Sequence, residues 1–244
     1  MKLRPFDEIF ELAAARKGGP AALERLLGET PSHIPKTIAG LTNDRVLSAM
    51  TKSIFANGFA YRIIDAKWPA FEAAFQEFEP HACAFLSDDE LDARMRDRNL
   101  VRSPRKILAV RPNARFVLDL AAEHGGRAAR FFAQWPDADF IELVLLVRKR
   151  GTLLGGETAM RFLRRLGKPA FVPSPDMLAA LVREGVLERP TASNRNLRLV
   201  QEALNRWSER SGRDLTVLSR VLSMSTNAAP IPPRPRRAGY FRMM

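Results

Sequence analysis

Arg148, Lys149 and Arg150 stand directly before Gly151, and Gly155-Gly156-Glu157-Thr158 follows three residues later. That combination suits the holding of an oxyanion. Glycines let a backbone approach a ligand closely. The first turn of a helix offers N–H groups and the positive end of a dipole, and the three cations add charge on the turn before it. A phosphate of a nucleic-acid backbone fits these features best; the plainer alternative is an ordinary turn between two helices. Arg102, Arg105 and Lys106, with Arg161, Arg164 and Arg165, supply further cations that either line the same groove or form a solvated face. No metal site is expected. His81 and Cys83 could make half of one, but His33 and His124 are scattered and no second pair exists. Zinc needs three or four protein ligands, so Cys83 reads as a small buried apolar residue.

A hairpin can grip an anion only if helices on both sides hold it. Segments 5–17, 43–56, 104–123, 137–149, 156–166, 175–184 and 195–210 each carry apolar residues at helical spacing. Start signals precede two of them, Thr42-Asn43-Asp44 and Ser193-Asn194. Asn57-Gly58, Gly125-Gly126, Gly167 and Gly185 supply stops. Lys67-Trp68-Pro69 reads as a helix junction with a packed indole. No stretch shows the alternation of a strand, so the fold class is all-α.

The 244 residues, 46% of them hydrophobic, suffice for one compact domain over 1–226. From Asn227 the chain is rich in proline (Pro230, Pro232, Pro233, Pro235) and arginine (Arg234, Arg236, Arg237, Arg242), without an acidic residue. That composition reads as a flexible 227–244 tail, either tracking phosphates or merely solubilising. The formal net charge of +12 favours polyanionic partners, nucleic acid before anionic membrane. The longest apolar run, Leu143 to Val147, is far short of a bilayer span, and the residues after Met1 lack a signal peptide's apolar stretch. With a single cysteine, an intracellular, nucleoid-associated location is expected.

Two resemblances add to this reading. Gly156, Thr158-Ala159, the helix through Phe162 and Leu163, and Asp176 fall in the order and spacing of the helix-hairpin-helix superfamily of DNA glycosylases, with Leu154 where that superfamily usually has its first hairpin glycine. Residues 43–124 resemble the 3-methyladenine DNA glycosylase I family. Phe55-Ala56-Asn57-Gly58-Phe59-Ala60-Tyr61, Trp68-Pro69-Ala70-Phe71, Phe78-Glu79-Pro80, Leu100-Val101-Arg102, Arg105-Lys106-Ile107 and Asn113-Ala114 carry the likeness, which continues through the hairpin 150–156. The sequence departs from that family in three places. Ser53 stands where the family reads the base with a glutamate, the family's Cys/His zinc site is missing, and Asp176 occupies the superfamily's catalytic aspartate position.

The resemblance implies a two-lobed helical bundle that flips a damaged base out of double-stranded DNA and hydrolyses its N-glycosidic bond, as a monomer without cofactor. Extrusion costs a few kcal/mol, least for a poorly paired base. Phe55, Phe59 and Tyr61 around the Asn57-Gly58 turn are the candidate stacking wall for an electron-poor alkylated purine such as 3-methyladenine, with Ser53 and Asn57 offering hydrogen bonds to its edge. Asp176 would stabilise positive charge on the sugar and guide water; its alternative is a helix-start residue favoured by the dipole. The phosphate grip falls to Arg148, Lys149, Arg150, Gly151, Leu154, Gly155, Gly156 and Thr158, with Arg102, Arg105 and Lys106 along the groove. No lysine stands two residues before Asp176, which implies a monofunctional hydrolase. The competing readings are a non-catalytic binder of damaged or distorted DNA, a glycosylase for another lesion, and a helical protein-interaction module.

Overall fold

Amphipathic periodicity sets the architecture, and every regular element among the described residues is helical. The computed structural model describes residues 3–28 and 38–227. His33 and the tail beyond Asn227 lie outside them. The helices are α1 (Phe6–Lys17), α2 (Pro20–Gly28), α3 (Asn43–Ala56), α4 (Tyr61–Ala74), α5 (Pro80–Ala84), α6 (Asp88–Arg96), α7 (Pro104–Leu108), α8 (Val110–Glu123), α9 (Ala128–Gln134), α10 (Phe140–Arg150), α11 (Thr158–Leu166), α12 (Pro175–Arg183), α13 (Asn194–Ser211) and α14 (Leu215–Met224). The expected segments all fall on these helices. The regions 20–28, 61–74, 80–84, 88–96, 128–134 and 215–224 are helical as well, without having been expected.

Local chemistry explains the boundaries. Ser87 and Glu90 form a reciprocal capping box at α6. Ser174, Ser193 and Asp214 accept first-turn N–H groups of α12, α13 and α14. Gly167 ends α11 in the left-handed region at φ 98°. Thr42 makes no side-chain cap at α3. Instead Asn43 Oδ1 accepts from the Ala128 N–H at 2.9 Å and its Nδ2 donates to the Gly126 carbonyl at 3.0 Å, tying the starts of α3 and α9 together.

Two expectations need correction. The 104–123 segment is not one helix: it breaks at Ala109, because Pro112 has no N–H to donate to the Leu108 carbonyl. Nor is Lys67-Trp68-Pro69 a junction, since Pro69 lies within α4. Packing overrides the proline there. The Trp68 ring is buried and stacks on Phe71 and Phe78, with centroids 5.1 and 5.4 Å apart.

The helices pack as two groups around one continuous apolar core. In the first, α8 packs on α3, α5, α7 and α9, with α4 against α3; in the second, α1, α12 and α13 pack on α14, while α10 packs on α11 and α13. The main seam between them is α3 against α11. A polar knot sits inside the first group. The Glu72 carboxylate accepts two bonds from Arg45 (3.0 and 2.9 Å), one from Ser48 (2.7 Å) and one from the Trp68 indole (2.8 Å). Arg45 also donates to the Glu77 carbonyl at 2.7 Å. That bond fastens a turn in which Gln76, Glu77 and Phe78 all have left-handed φ, between 50° and 60°.

Candidate functional site

The hairpin between α10 and α11 is built by close backbone approach. A Cβ on Gly151 would lie 2.3 Å from Leu154 Cδ1 and 2.9 Å from the Val147 carbonyl, so only glycine fits. Leu154 is fully buried beneath the turn, and its side chain packs where a glycine would leave space. Asn113, buried on α8, grips Thr152 from both sides, accepting from its N–H at 2.8 Å and donating to its carbonyl at 3.1 Å. Sequence reasoning gave Asn113 no role, although a polar residue at a core position of an apolar face (Val110, Asn113, Ala114, Val117) was a usable signal. Arg148 donates to the Gly156 carbonyl through Nε (3.1 Å) and Nη2. Gly156 itself is left-handed at φ 57°. Gly155 and Gly156 are exposed, and the N–H groups of Gly155, Gly156 and Glu157 have no partner among the described residues.

These amides border a cleft of about 720 Å³ between the two helix groups. Asn57, Gly58 and Tyr61 line it from the first group; Arg148, Gly155, Gly156, Thr158 and Arg161 line it from the second, with Pro173 and Ala192 at its edge. Hydrogen bonds cross it. Asn57 Nδ2 donates to Thr158 Oγ1 at 3.1 Å, and Arg161 donates to the Tyr61 hydroxyl at 3.1 Å; on its own side of the cleft Arg161 also donates to Glu157 at 2.7 Å. Burial alone would lower the Arg161 pKa, but the Glu157 hydrogen bond and the pull of Tyr61 and Glu157 raise it overall. Burial depresses Arg148 from its usual value.

The other expected residues fall elsewhere. Ser53 is buried in the α3–α11 seam, donating to the Ala49 carbonyl (2.8 Å) and accepting from Arg165 Nε (3.3 Å). Phe55 is fully buried, edge-on to Phe71 with centroids 4.6 Å apart. Phe59 is partly exposed beneath Lys106, whose ammonium lies 4.6 Å from its ring centroid. That ammonium also donates to the carbonyls of Phe55 (3.3 Å) and Asn57 (2.5 Å), closing the end of α3, and burial lowers its pKa. Arg102, Arg105 and Lys149 are exposed. Arg150 pairs with Glu123 at 3.1 Å and lies over Phe116. Asp176 sits half-buried in the first turn of α12, in a neighbouring pocket that shares Arg161 with the cleft. Cys83 is buried, and desolvation pushes its thiol up to about 12. No group of three or more metal-binding side chains is found among the described residues, and no helix among them is long and apolar enough to cross a membrane.

The described residues thus form an all-α fold in which a glycine hairpin between α10 and α11 opens onto a cleft whose charged lining is Arg148, Arg161 and Glu157. A model of the methyladenine glycosylase family matches residues 40–142. The chain is also similar to solved structures of 3-methyladenine DNA glycosylase I. One has 19% identity and a TM-score of 0.46, with 55% of this chain and 81% of that chain covered. Another, from Staphylococcus aureus and described for its 3-methyladenine recognition, has 20% identity and a TM-score of 0.49, covering 65% and 90%. A single-residue mutant of the Staphylococcus aureus protein gives 20% and 0.49 over 64% and 90%. No curated protein matches the chain.

Proposed function

We propose that this protein is a DNA glycosylase that excises alkylated purines of the 3-methyladenine type from double-stranded DNA. The observation that carries the reading is the shared cleft: the exposed hairpin amides of Gly155 and Gly156 border the same cavity as Asn57 and Tyr61 of the family segment. A phosphate on the hairpin and a flipped base against Tyr61 would thus be held by one surface, which suits extrusion of a nucleotide. Tyr61 offers a stacking face, and Asn57, already turned toward Thr158, offers an amide to the base edge. Asp176 is the proposed carboxylate for the sugar cation and the attacking water. Its place beside the cleft, sharing Arg161 with it, supports that role. With Ser174 two residues before it and no lysine there, the enzyme is proposed to hydrolyse without forming a Schiff base, acting as a monomer.

The test is single-turnover excision from a duplex containing one 3-methyladenine. Free base released by the wild type, and reduced about a hundredfold in Asp176→Asn, is the expected result. Tight DNA binding with no base released from any alkylated purine would overturn the enzymatic reading in favour of a binding protein.

A further inference from the structure

Lys106 follows two exposed cations, Arg102 and Arg105, yet it is half-buried, and its ammonium lies against the end of α3. An ammonium has three N–H donors and no acceptor. Two of them reach the carbonyls of Phe55 (3.3 Å) and Asn57 (2.5 Å). The ring centroid of Phe59 lies 4.6 Å away and that of Phe55 5.7 Å away, both within cation–π range. The partners of this charge are therefore carbonyls and ring faces of the protein itself. Those carbonyls need it. Asn57, which caps α3, is extended, and the left-handed residue is Gly58, one place later at φ 87°. In that arrangement the Asn57 N–H goes to the Ile54 carbonyl at 3.3 Å and the Phe59 N–H to the Ala56 carbonyl at 3.5 Å. The carbonyls of Phe55 and Asn57 are left over at the negative end of the helix dipole, and Lys106 takes both.

The other side of the same turn faces the cleft. Ala56, Asn57 and Gly58 line it, and Asn57 Nδ2 reaches Thr158 Oγ1, at the start of α11, at 3.1 Å. Lys106 thus stands one residue behind the edge of the cavity: its charge fixes the Asn57 backbone, and that backbone aims the Asn57 amide. We infer that Lys106 is a positioning residue of the cleft, holding the Asn57-Gly58 turn from behind so that the Asn57 amide meets the edge of the base taken up there. That a base is taken up rests on the proposed glycosylase function; the hold on Asn57 does not. The alternative, suggested by the run of cations in the sequence, is a direct contact of Lys106 with a DNA phosphate, and the two make opposite predictions.

The experiment compares Lys106→Met, which keeps an apolar stem over the rings and removes the charge, with Lys106→Arg, which keeps the charge. The readouts are NMR of the Asn57 side-chain amide, the salt dependence of affinity for undamaged duplex, and single-turnover excision of 3-methyladenine. In Lys106→Met the Asn57 amide signals should move toward those of a solvated amide, and excision should slow about tenfold or more. The slope of log K on log salt should stay that of the wild type. Lys106→Arg should recover most of the lost rate. In an Asn57→Ala background Lys106→Met should cost no further rate, because it acts through the residue already removed. An Asn57 amide signal unmoved by Lys106→Met overturns the proposal. So does a slope shallower by about 1, the mark of a lost phosphate contact. Should Lys106→Met fail to fold, the wild-type ammonium signal decides: unchanged on adding duplex as proposed, shifted if it meets a phosphate. If the wild type excises no base, the glycosylase reading falls while the Asn57 amide still tests this one.

Discussion

Arg165 and Ser53 share a hydrogen bond in the seam between α3 and α11, and the pair bears on which base the neighbouring cleft accepts. Burial lowers the Arg165 pKa, yet an arginine so placed keeps its charge at neutral pH. A charged guanidinium held in that seam repels a cation bound in the neighbouring cleft. Arg165→Gln should therefore shift excision toward cationic 3-methyladenine relative to a neutral lesion by about tenfold or more. Competition between two labelled duplexes reads that ratio directly, and an unchanged ratio would separate Arg165 from base selection. Asp176 invites a second test. Borohydride should trap no covalent enzyme–DNA adduct, because no amine is placed two residues before it.

At the scale of elements, the hairpin is the part most sensitive to small changes. Gly151→Ala forces a Cβ onto Leu154 and the Val147 carbonyl. The terminal carbon of Leu154 could move, but it lies in a filled core and the carbonyl belongs to α10. A loss of about 2 kcal/mol is expected in denaturant unfolding. Asn113→Ala should cost about as much for a different reason. It strips both hydrogen bonds from Thr152 and leaves buried polar groups unpaired. Its signature is local: amide exchange should accelerate first across 151–156.

For the whole molecule, charge and pH dominate. The Glu72 knot gives the clearest pH dependence. Burial would raise its pKa, but hydrogen bonds from Arg45, Ser48 and Trp68 and the charge of Arg45 outweigh burial and lower it below the usual 4.5. A depressed carboxylate stabilises the fold above its unfolded pKa, and that contribution is lost as pH falls from about 4.5 through the folded value. Wild-type Tm should fall steeply in that acid window. Glu72→Gln should flatten the acid limb and cost about 1 kcal/mol at neutral pH, because Arg45, itself partly exposed, loses one carboxylate but keeps Asp44 at 2.7 Å. An unaltered acid limb in the variant would show that other carboxylates set it.

Helix periodicity, the glycine stops and the +12 charge were legible in the linear chain, because each depends on neighbours a few residues apart or on composition alone. The hairpin was legible for the same reason, as a local run of cations and glycines. What the sequence could not determine was which side chains face one another across the seam. Trp68 holds a proline inside α4 through rings three and ten residues away. Phe55, expected at a stacking wall, is buried by Phe71, because a helix face is assigned to core or cleft by what packs on it. Arg161 faces Tyr61 across 100 residues and Arg165 faces Ser53 across 112. Those pairings exist only once α11 docks on α3, and the charge of the cleft follows from that docking.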